Sequence, residues 1–414
     1  MMAQASSSSQ TAPARSLTLE EYERYGRQMI MPGFGLPGQL RLKHVRVAVI
    51  GAGGLGCPVL QYLAGAGVGT IGIFDHDDVG LSNLHRQILH TTDRVGMKKV
   101  DSACISLRAL NPNVKLLPHR VAITPSAALE LLRPYTLIID CTDRPVTRYL
   151  LSDTAVRLSI PLVSGAAISS AGQWAVYGGS RKDGKRRACY RCVWPSVLPG
   201  AGGNGNCEEQ GVWGVVTGLV GTGMASEVIK AIVGIEDSEP LLHLLHLNSN
   251  PLIRTIRLRP PSPKCIACGL APTITDNLEE FEYESFCLGS VALEEADEHT
   301  GRRDGMPGER MSVKELREVL DSTDIILIDT RPPIEFGICA LPNSTNIPLS
   351  AILSSPTALP SNKEIIIICR KGNDSQLAAA KLRSTLTSAG PKIRDVRGGL
   401  VAWSKEVDSD FPIY

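Results

Sequence analysis

Residues 47–74 form an apolar run with no charged side chain, and Gly51, Gly53 and Gly56 sit within it in the spacing G-x-G-x-x-G. That pattern directly follows an apolar strand candidate, 45–50, and opens a helix. Glycine lets a backbone approach a phosphate closely, and the N-terminus of a helix favours negative charge. Asp75 ends the next strand candidate, 70–74, and lies 19 residues after Gly56, where a ribose-binding carboxylate belongs. Eight glycines and Pro58 interrupt the run. It therefore reads as a buried strand–helix–strand unit and not as a membrane helix. Alone, the motif implies some nucleotide, with NAD the usual candidate, or a purely structural turn.

Helical and strand patterns alternate from Leu17 to about Gly269, which predicts a parallel or mixed sheet with helices on its faces. Further strand candidates are 135–140 and 160–163. Residues 199–210 are rich in Gly and Asn and read as a mobile loop. Between Asp276 and Asp304 there are ten acidic residues and two basic ones, Arg302 and Arg303. That segment reads as a linker with a short anchored element at 281–286. A second α/β unit begins near Met306. Ser312 followed by Glu315 fits a capping box at a helix start, with strands at 324–328 and 364–368. The expected division is a disordered tail over 1–16, a first domain over 17–270, a linker over 271–305 and a second domain over 306–414.

The tail is rich in Ser, Ala and Gln, carries one charged side chain, Arg15, and has no apolar core of a secretory signal. Lys and Arg total 43 against 42 Asp and Glu, a balance that excludes a generally basic nucleic-acid coat. Eleven cysteines, an odd number in a long chain, do not suit a secreted disulfide scaffold and point to reduced thiols in the cytoplasm.

Cations follow the glycine motif. Ser82-Asn83-Leu84-His85-Arg86-Gln87 comes after Asp75, with Lys99 shortly beyond. Asp143 stands just past a strand end, in Cys141-Thr142-Asp143. Hydride transfer needs no such cations. Arg86 and Lys99 can neutralise a triphosphate, and Asp143 can hold Mg²⁺. The plainer reading is a solvated charged loop.

These residues carry a resemblance. G-A-G-G-L-G-C-P from Gly51, D-x-D-x-V-x-x-S-N-L-x-R-Q from Asp75, V-G-x-x-K ending at Lys99 and the upstream Arg24-Tyr25-Gly26-Arg27-Gln28 resemble the adenylylating enzymes that activate ubiquitin-like proteins. The resemblance spans about Leu17 to Gly269. It implies a Rossmann-like α/β adenylylating domain with a mixed sheet, working as a homodimer. Its substrate would be the C-terminal glycine carboxylate of a small β-grasp protein. It implies that Gly51, Gly53, Gly54, Gly56, Asp75, Ser82, Asn83, Leu84, His85, Arg86, Lys99 and Asp143 bind ATP and Mg²⁺. Arg86 would act on the transferring phosphoryl region, and Arg27 would reach into the partner subunit's site. Arg144 stands where the family usually has Asn, which places a larger, charged group beside the nucleotide.

Cys189-Tyr-Arg-Cys192 and Cys265-Ile-Ala-Cys268 are two C-x-x-C pairs. Four thiolates satisfy tetrahedral Zn²⁺, two from each short knuckle. A redox dithiol and unrelated buried cysteines are the other readings, because the gap between the pairs is long. The adenylylating relatives carry the same pairs in these places. Cys207, in Asn206-Cys207-Glu208-Glu209, lies on the Gly-rich segment, where a thiolate could swing to an activated carboxyl. An incidental loop thiol is equally compatible. The resemblance places an acyl-accepting cysteine here, before Gly211-Val212-Trp213-Gly214-Val215-Val216. Five cations in residues 181–187 read as a solvated hairpin tip.

In the second unit, Glu364-Ile-Ile-Ile-Ile-Cys369-Arg370-Lys371-Gly372-Asn373-Asp374-Ser375 is an apolar strand, a tight loop and a helix start. Inward N–H groups, the helix N-terminus, Arg370 and Lys371 would favour a thiolate. A buried inert cysteine is the alternative. A tyrosine-phosphatase loop would need Arg where Ser375 stands. The loop 369–374 resembles a rhodanese persulfide loop, supported by Ile328-Asp329-Thr330-Arg331, Asn346-Ile347-Pro348-Leu349 and Gly398-Gly399-Leu400-Val401-Ala402-Trp403. That resemblance runs from Ser312 onward and implies a small α/β rhodanese-like domain with persulfide sulfur on Cys369.

Together the halves resemble the eukaryotic molybdopterin-synthase adenylyltransferase and sulfurtransferase family. The resemblance implies a ubiquitin-like sulfur-carrier protein as substrate, a persulfide donor such as a cysteine desulfurase, and no membrane or direct nucleic-acid partner. The product would be a thiocarboxylate serving tRNA wobble-uridine thiolation, protein urmylation or molybdenum cofactor synthesis. The rival is a Rossmann NAD(P)-dependent oxidoreductase fused to a regulatory rhodanese-like module.

Overall fold

The computed structural model describes residues 16–181, 183–197, 211–235, 239–288, 309–354, 363–385 and 391–414. They fall into two compact units that divide in the stretch between 288 and 309.

The first unit is built on an eight-stranded mixed sheet. Its strands are β1 (Arg46–Ile50), β2 (Thr70–Phe74), β3 (Lys115–His119), β4 (Leu137–Asp140), β5 (Pro161–Ile168), β6 (Ala171–Gly178), β7 (Leu241–His246) and β8 (Ile253–Arg257). Their order is β3-β2-β1-β4-β5-β6-β7-β8. The strands from β3 to β5 are parallel, and β5 to β8 pair antiparallel. Helices cover both faces of the parallel part. Its strands are therefore buried on both sides and read as continuous apolar runs. Val47 and Val49 enter one core and Ala48 and Ile50 the other.

The chain winds outward from β1 to β2 and β3, then returns to lay β4 on the free side of β1. The order reverses between β1 and β4, and a crevice opens beyond their carboxyl ends, where open α/β sheets bind ligands. The expected strand–helix–strand unit is β1, the helix Gly56–Gly65 and β2. Among the described residues one helix, Gly214–Val233, is long and apolar enough to cross a membrane. Its Val216, Val220, Met224 and Val228 pack into the first core with Leu60, Val163 and Trp174.

One expected boundary is corrected. Much of 271–288, placed in the linker by its acidity, packs against the first unit. Ile274, Leu278, Tyr283 and Cys287 are core residues. The anchored element is the helix Tyr283–Leu288, preceded by a 3-10 turn at Leu278–Glu280. Glu279, Glu280, Glu282 and Glu284 are all exposed, so the acidic composition records only the outer face. Residues 1–15 of the expected tail lie outside the described residues.

The second unit is a five-stranded parallel sheet of β9 (Arg310–Met311), β10 (Ile325–Asp329), β11 (Ser344–Asn346), β12 (Glu364–Ile368) and β13 (Ile393–Val396), ordered β11-β10-β12-β13-β9. The period of two is visible in β12, where Ile366 and Ile368 enter one core and Ile365 and Ile367 the other. The capping box forms as expected, with the Glu315 N–H donating to Ser312 Oγ at 3.2 Å and the Ser312 N–H to Glu315 Oε2 at 2.6 Å.

Candidate functional site

The glycine turn follows β1 into the crevice. Gly51 has φ +96°, and a Cβ there would lie 2.8 Å from the Cys141 carbonyl oxygen. A Cβ on Gly56 would lie 2.0 Å from the Gly51 carbonyl oxygen. Only glycine satisfies both approaches, because no other residue keeps this turn free of backbone overlap. Asp75 is buried at the end of β2. Its Oδ2 accepts the Ala52 N–H at 2.8 Å and its Oδ1 the Asp77 N–H at 2.9 Å. In this structure Asp75 fastens the turn after β1 to the exit of β2.

Lys99 opens the helix Lys99–Leu110, is buried, and donates to Asp77 Oδ2 at 2.7 Å. Burial disfavours the Asp77 charge, yet the hydrogen bond and charge of Lys99 outweigh it and hold that carboxyl below the ordinary range. The next residues form one cluster on a short 3-10 turn, Leu81–Asn83. Arg86 donates to Asn83 Oδ1 at 2.6 Å, and its Nη1 lies 3.3 Å from His85 Nε2 and 3.4 Å from the Ser82 carbonyl oxygen. Ser82 and His85 are exposed and Leu84 half-buried. Gln87 lies beside the glycine turn, with its Nε2 3.5 Å from where a Gly53 Cβ would stand.

Asp143 and Arg144 are exposed beyond β4, and Arg144 caps the helix Pro145–Leu158 by backbone alone. Asp143 offers carboxylate oxygens at the open crevice, a hard donor that fits Mg²⁺. Arg27 is different. It is exposed in the last turn of the helix Leu19–Met29, whose Gln28 bonds to the Ala66 carbonyl at 2.8 Å. Ala66 caps the far end of the helix that the glycine turn starts, so the structure does not bring Arg27 into its own chain's crevice.

Sequence reasoning missed three residues here. Asp140, fully buried at the end of β4, accepts from the Thr142 N–H and Oγ1, from Ser164 Oγ at 2.7 Å and from Arg148 Nε at 3.0 Å. Arg148 also holds the carbonyls of Thr142 and Gly165. This pair sets the turn from which Asp143 projects. The available signal was a carboxylate closing the apolar strand Leu137-Ile138-Ile139-Asp140. The third, His90, is buried against Ala52, and no short motif marks it.

The four cysteines of the C-x-x-C pairs meet. Their Sγ atoms lie within 4.8 Å of one another. Cys189 to Cys192 is 3.7 Å, Cys189 to Cys265 is 3.6 Å and Cys192 to Cys268 is 3.4 Å. Four metal–sulfur bonds of ~2.3 Å at tetrahedral angles place sulfurs about 3.8 Å apart. A disulfide needs about 2.05 Å. The cluster therefore has the size of one tetrahedral thiolate site, with the Ser262 N–H donating to Cys192 Sγ at 3.3 Å. Within the first knuckle, the buried Arg191 pairs with Asp153 and lies over the rings of Phe281 at 4.4 Å, Tyr149 at 4.8 Å and Phe286 at 4.8 Å.

Cys369 leaves β12 into the loop that precedes the helix Asp374–Thr385. The Gly372 N–H donates to its Sγ at 3.1 Å, and Ser375 Oγ lies 3.4 Å away. Gly372 has φ +88°, and a Cβ on Gly399 would stand 2.2 Å from the Cys369 carbonyl oxygen, so the Gly398-Gly399 pair closes the back of the loop. The expected lowering of this thiol by Arg370 and Lys371 is not found. Burial dominates and pushes the Cys369 thiol up, against the opposing contacts of Ser375 and Gly372. Arg370 is turned away, bonded to the Tyr414 carbonyl and stacked on the Tyr414 ring at 4.7 Å. Arg331 is bidentate on Asp329 and fully buried. Cys207 lies outside the described residues.

Comparison with known proteins gives matches over both units. The ThiF family model matches residues 25–267, and the rhodanese-like domain model matches residues 312–406. The adenylyltransferase and sulfurtransferase MOCS3 of Drosophila persimilis is 42% identical over 419 residues, covering 100% of this chain and 90% of the fly protein. The adenylyltransferase and sulfurtransferase uba4 of Emericella nidulans is 43% identical over 432 residues, covering 95% of this chain and 87% of the fungal protein. Among solved structures, E. coli MccB with MccA-N7isoASN shares the fold of the first unit, with a TM-score of 0.51 at 21% identity over 60% of this chain and 74% of that one.

Proposed function

The chain belongs to the adenylyltransferase and sulfurtransferase family, a ThiF unit followed by a rhodanese-like domain, and from that premise we propose how its two sites share one reaction. It is an ATP-dependent adenylyltransferase and a sulfurtransferase, and it acts on a small ubiquitin-like sulfur carrier. One observation carries the mechanism. A glycine turn at a helix start, followed in sequence by the Arg86 cluster and the buried Lys99, occurs in the same chain as a cysteine whose sulfur accepts the Gly372 N–H of its own loop.

ATP lies over the Gly51–Gly56 turn, its phosphates against backbone N–H groups at the start of the helix Gly56–Gly65. Gly53, Gly54, Ser82, Asn83, Leu84 and His85 line the nucleotide, Asp75 holds the turn, and Arg144 stands at its edge. The carrier's C-terminal carboxylate attacks the α-phosphorus, and the bond to pyrophosphate breaks. Arg86 and Lys99 stabilise the charge that builds on the phosphoryl oxygens. Asp143 would hold Mg²⁺, which would supply further neutralisation of that charge. Arg27 completes the site of a partner subunit in a homodimer.

Cys207 accepts the acyl group as a thioester and AMP leaves. The terminal sulfur of a Cys369 persulfide attacks the acyl carbon, expels the Cys207 thiolate and leaves an acyl disulfide on Cys369. Two equivalents of a thiol reductant cleave that disulfide and are oxidised to their own disulfide, releasing the carrier thiocarboxylate and restoring the Cys369 thiol. A cysteine desulfurase-type donor reloads the persulfide. Burial pushes the Cys369 thiol up, against the contacts of Ser375 and Gly372. Cys189, Cys192, Cys265 and Cys268 would hold Zn²⁺ as a closed four-thiolate site, which would pin the end of the first unit and take no part in the chemistry. The compartment is the cytoplasm.

ATP–pyrophosphate exchange tests the reading. Exchange should require a ubiquitin-like carrier ending in glycine. Absence of carrier-dependent exchange together with tight NADH binding would return the chain to the oxidoreductase reading.

A further inference from the structure

We propose that His90 is a positioning residue for the nucleotide, holding the Ala52 peptide group in the orientation that aims the glycine turn at phosphate. The proposal rests on the reading of that turn as the ATP site.

His90 is 5% exposed and lies behind the turn. Its Nε2 is 2.9 Å from the Ala52 carbonyl oxygen and its Nδ1 is 2.9 Å from Ser102 Oγ. A carbonyl oxygen can only accept, so Nε2 carries the proton and donates. Nδ1 then accepts from the Ser102 hydroxyl. Each ring nitrogen has one partner, and the neutral ring satisfies both. Burial favours that neutral ring and outweighs the hydrogen bond to the Ala52 carbonyl, with the charges of Lys99 and Arg94 acting alongside burial and Asp75 opposing them.

The other end of Ala52 is held independently, its N–H donating to Asp75 Oδ2 at 2.8 Å. Cys57 Sγ adds a weak donor to the Ala52 carbonyl at 3.5 Å. Two side chains on different elements thus grip Ala52 from opposite ends. Asp75 comes from the end of β2, and Ser102, on the helix Lys99–Leu110, orients His90. Gly53 and Gly54 follow without side chains of their own to fix them, and glycine backbone is the most costly to order. An external grip on Ala52 limits what Gly53 and Gly54 can do, so their N–H groups are ordered before ATP arrives. A preorganised donor array stabilises phosphate charge without reorganisation at the moment of reaction.

The test is carrier-dependent ATP–pyrophosphate exchange with full-length His90→Leu, His90→Gln and His90→Asn. A Gln amide nitrogen reaches the place of Nε2, whereas an Asn amide reaches that of Nδ1. His90→Leu should lower kcat/KM for ATP by about tenfold or more while leaving KM for the carrier unchanged. His90→Gln should recover most of the loss and His90→Asn should not. Should His90→Leu fail to fold, Ser102→Ala serves, because it removes only the hydroxyl that orients the ring, and a drop of about threefold in kcat/KM for ATP is expected. The inference is overturned by wild-type kcat/KM in His90→Leu or Ser102→Ala, by equal losses in the Gln and Asn variants, or by a loss that moves carrier KM as much as ATP KM. ATP binding by the wild-type chain in calorimetry separates the two readings. If it binds no ATP, the nucleotide site itself falls. If it binds and the variants bind equally, only the role of His90 falls.

Discussion

Arg191 and Asp153 form a buried ion pair, with Arg191 Nη2 2.8 Å from Asp153 Oδ2 and Arg191 Nε 2.8 Å from Oδ1. Tyr283 donates to the same carboxylate at 2.9 Å, and Phe281 and Phe286 cover the guanidinium. The pair therefore joins the first cysteine knuckle to the last described segment of the first unit. Removing one partner strands a charge in the interior, which costs about 3–5 kcal/mol. Arg191→Ala should lose stability of that order in urea unfolding. Arg191→Lys should recover little, since a lysine has neither the fork for a bidentate pair nor the plane for stacking. A loss below about 1 kcal/mol in Arg191→Ala would be that of an exposed pair and would contradict the burial.

The cysteine cluster predicts one zinc per chain, read by elemental analysis of the purified protein. Cys265→Ser should abolish that signal and lower the melting temperature. Because Arg191 sits inside the first knuckle, amide exchange should rise in residues 278–288 as well as around the cysteines. Full metal content in Cys265→Ser would rule out a single four-thiolate site.

Two glycines of one helix should behave oppositely. Gly56→Ala drives a Cβ to 2.0 Å from the Gly51 carbonyl oxygen and should remove detectable ATP–pyrophosphate exchange. Gly65→Ala meets nothing within 4 Å at the other end of the same helix. It should be neutral in exchange and no less stable, with a gain of up to about 1 kcal/mol in denaturant. Active Gly56→Ala would mean that the turn tolerates rearrangement and is not a preformed cradle.

Cys369→Ala should keep adenylation and lose thiocarboxylate formation, since the residue touches only the sulfur step. Mass spectrometry of the carrier distinguishes the acyl-adenylate from the thiocarboxylate product. Loss of exchange in the folded variant would tie Cys369 to the first half-reaction instead.

The raised Cys369 thiol has a definite pH signature. A protonated thiol is a poor nucleophile, so iodoacetamide labelling should still be climbing above the ordinary thiol midpoint of about 8.5. Ser375 opposes the rise, and Ser375→Ala should slow labelling further at pH 8. The linkage has the matching sign. The unfolded chain loses this proton first, so the contribution to stability is full below about pH 8.5 and is lost as pH rises towards the folded value. A labelling plateau below pH 7 would show a thiolate and refute the burial argument.

What could be read directly was local. The glycine spacing after β1, the alternation in β12, the capping box at Ser312 and the cysteine that ends β12 each lie within a dozen residues of backbone, where periodicity and steric rules act without help from the rest of the chain. Those patterns determined two α/β units, a nucleotide turn and a sulfur loop. Tertiary packing decided the remainder. It brought Cys189 to Cys265 across 76 residues and closed one metal-sized cluster that spacing had left open. It moved 274–287 from linker to core, because a mean acidity conceals which side chains face inward. It turned Arg370 from the Cys369 sulfur to Tyr414, and it put His90 and Asp75 on either end of Ala52. Sequence determined which groups are present and how their own backbone bends. Burial and long-range contact decided what each charge or thiol faces, and that sets its chemistry.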